Sequence, residues 1–292
     1  MERKSKWMIF AAMLTVGYLF AEQEFRFVVI GDTRPGFESD DFRQFQMNIG
    51  RINGVNPGFV VNLGDLIYGY GLRNKQKQWT IYSRVVKGIK APYFQIPGNH
   101  DVFSRAAEAD YLRLFHRMYY SFDWQESHFI LLHDMEDGER GNISPRQLAW
   151  LKNDLKNCRA RLIFVGLHIP LWETRRVSPK YHELWRQTLH PLFKQYHVKA
   201  VFGCHFHRYG PTREFDGIRY FITGGGGAEL LPAYVEHGGD YHFMVADVKG
   251  TDVRYQVVTP RATLSDEQAD VLKNVNFTET EAETERWKHV IY

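Results

Sequence analysis

Phe25-Arg26-Phe27-Val28-Val29-Ile30-Gly31-Asp32-Thr33-Arg34 is a short apolar run that stops at Gly-Asp. A run of this length, rich in Phe, Val and Ile and closed by glycine, reads as a buried strand, and Gly31 to Arg34 as the loop at the strand's carboxyl end. The pattern recurs along the chain. Phe59 to Leu63 ends in Gly64-Asp65-Leu66-Ile67-Tyr68, Pro92 to Ile96 in Gly98-Asn99-His100-Asp101, Leu162 to Leu167 in His168, and Lys199 to Phe202 in Cys204-His205-Phe206-His207. Phe129 to Leu132, Tyr220 to Thr223 and His242 to Val248 read as further strands. Asp41 to Ile52, Gln78 to Lys87, Ser104 to Phe115 and Ser144 to Leu155 carry apolar residues at helical spacing, with Ser144-Pro145 as a helix start. Alternating strand and helix predict a layered α/β domain with much parallel pairing.

The 292 residues are 44% hydrophobic and 24% charged, with a formal net charge of +3, which excludes a disordered chain and a polytopic membrane protein. Lys and Arg are scattered among acids, and no basic stripe with interleaved aromatics is present, so nucleic acid is not an expected partner. Glu2 to Lys6 is a basic patch, and the apolar run Trp7 to Phe20 behind it has the layout of an export signal and is short for a membrane span. Ala21 offers a small residue for cleavage, whereas Leu19 at the minus-three position does not. The expectation is therefore a signal peptide or uncleaved amino-terminal anchor over residues 1–21, a catalytic domain over 22–259 and a polar carboxyl-terminal tail over 260–292. The protein would be periplasmic or extracellular, touching a membrane only through an uncleaved anchor. Cys158 precedes one apolar run and Cys204 follows another, so parallel strands would hold the two thiols at opposite sheet ends, too far apart to bridge.

Loops at the carboxyl edge of such a sheet converge on one crevice. Five strand ends thereby deliver Asp32, Asp65, Asn99, His168, His205 and His207 as candidate metal ligands, with His100 beside them. A single Gly-Asp after a strand is an ordinary turn and a single His an ordinary packed residue. The ordered set is not explained that way. Mixed Asp, Asn and His donors suit Mn, Fe, Zn or Co better than Mg or Ca, which take oxygen alone. A bridging carboxylate, here Asp65, allows two cations about 3.5–4 Å apart to clamp an in-line displacement at phosphorus.

At these motifs the chain resembles the calcineurin-like metallophosphoesterases, which include purple acid phosphatases and cyclic-nucleotide phosphodiesterases. The resemblance runs from about Phe25 to Val258 through D-x-x, GDxxY, GNHD, Val165-Gly166-Leu167-His168 and the final H-x-H. Tyr120 to Asp123, Gln147 to Leu151 and Thr223 to Ala228 add to it. It implies a four-layer αββα sandwich of two mixed sheets, with a dinuclear site at one edge holding two divalent or mixed-valence ions of Fe, Mn or Zn. Asp32, Asp65 and His207 would bind the first metal, and Asp65, Asn99, His168 and His205 the second. His100 would bind substrate and donate the proton to the leaving oxygen, with Asp101 orienting it. The implied activity is hydrolysis of small phosphate mono- or diesters by a metal-bridging hydroxide. The substrate side stays open between a purple-acid-phosphatase-like monoesterase and a cyclic-nucleotide phosphodiesterase. A degenerate scaffold that only binds partners is the non-enzyme alternative.

Two positions depart from the family pattern. Arg34 stands where D-x-H would supply a metal-binding His, and a guanidinium cannot ligate a metal. It suits instead either a bidentate grip on a phosphate oxygen, as a catalytic and substrate-binding residue, or an ion pair. Tyr68 either replaces the missing donor as a phenolate or packs beside the site. Cys204 stands where the last motif usually has Gly. The Gly224 to Gly227 run lacks a nucleotide-binding spacing and reads as backbone passing close to the site. Arg175-Arg176 reads as a solvated pair or a substrate rim. Asn142-Ile143-Ser144 and Asn276-Phe277-Thr278 match a glycosylation sequon.

Overall fold

In the computed structural model, residues 23–36, 39–70, 75–173 and 177–273 are described. The expected leader over residues 1–21, Arg175-Arg176, the sequon at Asn276 and the end of the tail lie outside them. Among the described residues no helix is long and apolar enough to cross a membrane.

The chain begins with β1 (Glu24–Ile30), α1 (Arg43–Val55), β2 (Phe59–Asn62), α2 (Lys75–Val85), β3 (Tyr93–Gln95) and α3 (Arg105–Phe115). It continues with β4 (Tyr120–Trp124), β5 (Ser127–Leu131), α4 (Pro145–Asn157) and β6 (Leu162–Gly166). Next come α5 (Pro179–Leu184), α6 (His190–Gln195), β7 (Ala200–Gly203), β8 (Arg213–Phe215), β9 (Ile218–Ile222) and α7 (Pro232–Glu236). The last elements are β10 (Phe243–Lys249), β11 (Asp252–Val258), β12 (Thr263–Ser265) and α8 (Asp266–Ala269). One sheet has the order β12-β11-β10-β1-β2-β3 and the other β4-β5-β6-β7-β9-β8. Both are mixed. β1-β2-β3 are parallel, as are β5-β6-β7-β9, while the other pairings are antiparallel.

The sheets are packed face to face, because each strand presents apolar residues on both sides. Phe27 of β1 meets Phe59 at 5.4 Å in its own sheet, and Phe129, Phe164 and Phe202 of the other at 5.1, 5.2 and 6.1 Å. On the outer faces Val28, Ile30 and Val60 share a core with Phe45, Ile49 and Ile52 of α1. The result is the αββα sandwich.

All eight expected strands and four expected helices are present, within a few residues at each end. The strands with no expectation are β4, β8, β11 and β12. Arg213-Glu214-Phe215 and Thr263-Leu264-Ser265 are too short and polar to announce themselves, whereas β11, between β10 and β12, alternates polar and apolar residues without forming an apolar run. β12 also carries the folded body past residue 259, the expected end of the domain, since Thr263 to Ser265 pair with Gln256 to Val258. Cys158 caps α4 ahead of β6 and Cys204 follows β7, so parallel pairing of β6 and β7 holds the two free thiols at opposite ends.

One polar clamp ties the β4-β5 hairpin to α4. His128 places Nδ1 2.5 Å from Asp123 Oδ1 and Nε2 2.9 Å from Asp154 Oδ2, and Asp154 also accepts from Ser121 Oγ at 2.9 Å. Two carboxylates facing both ring nitrogens call for both to be protonated. Burial opposes the charge, but Asp154 and Asp123 outweigh it and raise the His128 pKa. A raised folded pKa gives stability that is complete below the unfolded value of about 6.5 and is lost as pH rises through the folded value. The denaturant midpoint of the wild type should therefore exceed that of His128→Gln most at about pH 5.5, with the gap closing as pH rises. A gap that widens with pH would refute the clamp.

Candidate metal centre

The carboxyl ends of β1, β2 and β3 in one sheet and of β6 and β7 in the other open on the same edge of the sandwich. Backbone bonds lock the loops together there. Asp32 N donates to Gly64 O at 3.0 Å, Arg34 N to Asp65 O at 2.8 Å, Thr223 N to Gly203 O at 2.8 Å and Ala228 N to Asp32 O at 2.8 Å. The expected approach of the glycine run is present. A Cβ on Gly224 would lie 2.5 Å from Asp32 Oδ2. Asp32, Asp65, His205 and His207 all have positive φ, between 44° and 67°. L-residues adopt that region at a cost on the order of 1–3 kcal/mol each, and here it turns four site residues inward.

Asp32, Asp65, Asn99 and His168 are wholly buried, and His205 and His207 nearly so. Candidate ligand atoms of Asp32, Asp65 and His207 all lie within 4.8 Å of one another. His207 Nε2 is 3.5 Å from Asp32 Oδ1, and Asp32 Oδ2 accepts from His205 N at 2.7 Å. On the other side of Asp65, His168 Nε2 is 3.4 Å from Asp65 Oδ1 and 3.0 Å from Asn99 Oδ1. The His205 ring stands edge-on to His168 at 5.2 Å. The structure thus brings the two expected ligand sets together around Asp65.

The histidine tautomers show what the cluster lacks. His168 Nδ1 faces Leu63 O at 3.0 Å, His207 Nδ1 faces Glu229 O at 2.7 Å and His100 Nδ1 faces Tyr68 O at 2.6 Å. Each carbonyl takes the Nδ1 proton, so Nε2 is the atom aimed at carboxylate or amide oxygen and, in the neutral ring, the one that carries the lone pair. Asp32 Oδ1 is buried and accepts no hydrogen bond. Lone pairs converging on lone pairs, away from water, are the donor set of a cation site. The residues fit a metal pair.

Burial lowers the His168 pKa, but Asp65, Asp32 and Asp134 outweigh it and raise it, so the anions of the cluster call for positive charge. Burial pushes the Asp65 carboxyl up, but His100, His168, Arg34 and His205 outweigh it and hold the pKa well below the carboxylate range. Burial and then the His168 charge depress His205, with Arg140 adding to the effect. Burial, followed by the Arg34 charge, depresses His100, whose Nε2 lies 3.8 Å from Asp65 Oδ2. Arg34 is buried, with Nε 3.5 Å from Asp65 Oδ2, Nη1 donating to Pro35 O at 3.1 Å, and its guanidinium carbon 5.1 Å from the Tyr68 ring centre. The Tyr68 ring is also 5.0 Å from the His100 ring, which places the phenol between the two.

A calcineurin-like phosphoesterase family model matches residues 25–209, the stretch that carries every strand end just described. The chain belongs to the calcineurin-like phosphoesterases. Purple acid phosphatase 23 of Arabidopsis thaliana is 25% identical over 193 residues, covering 53% of this chain and 42% of the plant protein. Tartrate-resistant acid phosphatase type 5 of Oryctolagus cuniculus is 23% identical over 239 residues, covering 69% of this chain and 72% of the rabbit protein. The structure of purple acid phosphatase PPD1 from yellow lupin seeds superposes with a TM-score of 0.64 at 16% identity, over 88% of this chain and 57% of that one. The chain thus spans less than half the length of the first plant relative. Membership of the family implies a dinuclear metal centre.

One expectation about this member of the family needs amendment. Asp101 does not orient His100. Its Oδ1 accepts Leu66 N and Ile67 N at 2.9 and 3.0 Å and its Oδ2 accepts Gly98 N at 2.8 Å, so it stitches the second and third loops together while the Tyr68 carbonyl orients His100. Cys204 is buried, with Sγ 3.1 Å from His168 Nδ1. Burial, then the charges of Asp32 and Asp65, push its pKa well up, and Sγ donates to Leu63 O at 3.4 Å behind His168. The Asn142 amide donates to Glu136 O at 3.0 Å, which gives that sequon residue a structural use.

Asp134, Tyr70 and Arg140 were missed. Asp134 accepts His168 N at 3.3 Å and Ile169 N at 2.7 Å, and so holds the His168 loop. It follows β5 as the other acids follow their strands, so the same rule applied to Phe129 to Leu132 would have found it. Asp101→Asn tests the stitching. It sets an amide donor against a backbone N–H and should destabilise the metal-free protein by about 1–3 kcal/mol in a denaturant titration. An unchanged midpoint would remove Asp101 from this role.

Proposed function

We propose that this chain is a metal-dependent phosphoesterase that hydrolyses small phosphate esters at the edge of its sandwich. The observation that carries the reading is the convergence of imidazole Nε2 atoms and buried carboxylates on Asp65, with His100 beside them. When bound, a metal pair supplies Lewis-acid activation of water and neutralises charge developing on the phosphoryl oxygens. Asp32, Asp65 and His207 would hold one ion, and Asp65, Asn99, His168 and His205 the other, with Fe, Mn or Zn matching the donor set. As the water oxygen bonds to phosphorus and the ester P–O bond breaks, His100 would give the leaving oxygen a proton that Nε2 first takes up from solvent, its Nδ1 proton staying on the Tyr68 carbonyl. The Tyr68 carbonyl holds Nδ1 through that step.

The purified protein should contain metal and hydrolyse para-nitrophenyl phosphate. Chelation followed by dialysis should abolish turnover, and Asp65→Asn should lower kcat on the order of a hundredfold or more. Full activity after chelation would defeat the metal reading. Metal content also decides the role of Arg34: two ions per chain mean that it yields Asp65 to the first metal, and one means that it keeps its ion pair there. A metal-loaded protein without turnover would support the scaffold alternative.

Tyr68 completes the first site in this reading, as a phenolate, on the strength of its GDxxY spacing and its position between Arg34 and His100. With ferric iron loaded, a visible charge-transfer band should appear and should vanish in Tyr68→Phe. Retention of the band in that variant would reduce Tyr68 to packing. Export through the Glu2 to Phe20 segment, with the catalytic body beginning after residue 21, is part of the same proposal and is supported by the charge and apolar layout of that segment.

A further inference from the structure

Two residues outside the family motifs meet at the rim of the site. The Tyr68-Gly69-Tyr70 turn is tight, with Tyr70 N donating to Tyr68 O at 2.8 Å. Gly69 has φ +70°, and a Cβ there would collide with the His100 carbonyl oxygen, so only glycine permits the turn. The turn stands the Tyr70 ring edge-on to His100, with centroids 4.6 Å apart and an interplanar angle of 75°, and backs it with Phe103 at 4.9 Å. The Tyr70 hydroxyl accepts from Asn99 Nδ2 at 3.4 Å and from Arg140 Nη2 at 3.3 Å. Both partners donate, so the phenolic proton is left to point elsewhere.

Arg140 is held as firmly. Its loop follows β5, and Gly141 N donates to the Asp134 carbonyl at 2.7 Å while the Asp134 carboxylate takes the His168 and Ile169 amides. One residue thereby fixes the loop that carries Arg140 relative to the loop that carries a second-site ligand. Tyr70 and Arg140 are both half-buried, unlike Arg34, which lies deep against Asp65. The Arg140 charge also bears on His205, on the second-metal side.

We infer that Arg140, aimed by the Tyr70 hydroxyl, binds a terminal phosphoryl oxygen of the substrate and so selects phosphomonoesters over diesters. The inference rests on the phosphoesterase reading and deepens it. A monoester dianion offers one more unesterified oxygen and one more charge than a diester monoanion, and a guanidinium is the side chain that pairs with such an oxygen most strongly.

The test uses the metal-loaded full chain with para-nitrophenyl phosphate and bis-para-nitrophenyl phosphate. Arg140→Ala should lower kcat/KM on the monoester about tenfold, carried by KM, and change the diester less than about twofold. Arg140→Lys should recover part of the loss. Tyr70→Phe, which keeps the ring, should shift the same ratio in the same direction. Calorimetric titration with inorganic phosphate should show affinity falling about tenfold in Arg140→Ala at unchanged metal content. Equal losses on both esters, or an unchanged phosphate affinity, would overturn the assignment. If the wild type hydrolyses neither ester, the parent reading fails and the phosphate titration alone decides whether Arg140 is an anion-binding residue.

Discussion

A carboxylate sealed from water, Asp65, is the point on which the rest of the structure depends. Its oxygens face Arg34, His100 and His168 and accept the His100 backbone N–H, and the imidazoles around it present Nε2 because their other nitrogens are committed to carbonyls. Burying an anion in this way is costly unless positive charge is brought to it. The fold brings some through Arg34, and a cation would satisfy the Asp32 and Asn99 oxygens and the imidazole Nε2 atoms together. Strained backbone at four site residues is consistent with a geometry imposed by the sandwich and stabilised by what it binds.

The sandwich can impose that geometry because its two sheets are parallel where it matters. β1, β2 and β3 end on one edge, and β6 and β7 end on the same edge of the facing sheet. The phenylalanine layer around Phe27 fixes the distance between them. A shift of one sheet against the other would separate Asp32 and Asp65 from His168 and His207, so core packing and ligand spacing are one constraint seen at two depths.

Strand ends were legible because the physics behind them is local. Four to six apolar residues closed by Gly-Asp or by His need no tertiary context to read as a strand and its functional loop. β11 carries another signal, since Asp252 to Val258 alternates polar and apolar residues instead of forming an apolar run, and a reading keyed to such runs passes over it. Tyr70 and Arg140 were not legible for a different reason. They lie 70 residues apart, and what joins them is a glycine turn beneath the His100 carbonyl and a loop hung on the Asp134 backbone. Neither appears until the sheets are assembled. Arg34 was legible as an anomaly, and its ion pair to Asp65 required the folded loops.

The acids at the strand ends show where such reading stops. Asp32, Asp65, Asp101 and Asp134 all follow strands, and residue type and position do not separate them. Their acceptor traffic does. Asp101 accepts three different backbone N–H groups and Asp134 two, which makes each a tie between loops, whereas Asp32 keeps Oδ1 open and Asp65 turns toward imidazoles. Burial and the Asp65 charge push the Asp101 carboxyl up to about 7 against the pull of those N–H donors, as expected for an acid held close behind an anionic site. A carboxylate filled by backbone donors has spent its lone pairs on structure, and one left open beside histidine lone pairs has kept them for a cation. That difference, read from hydrogen bonds, divides the site into the residues that build it and the residues that use it.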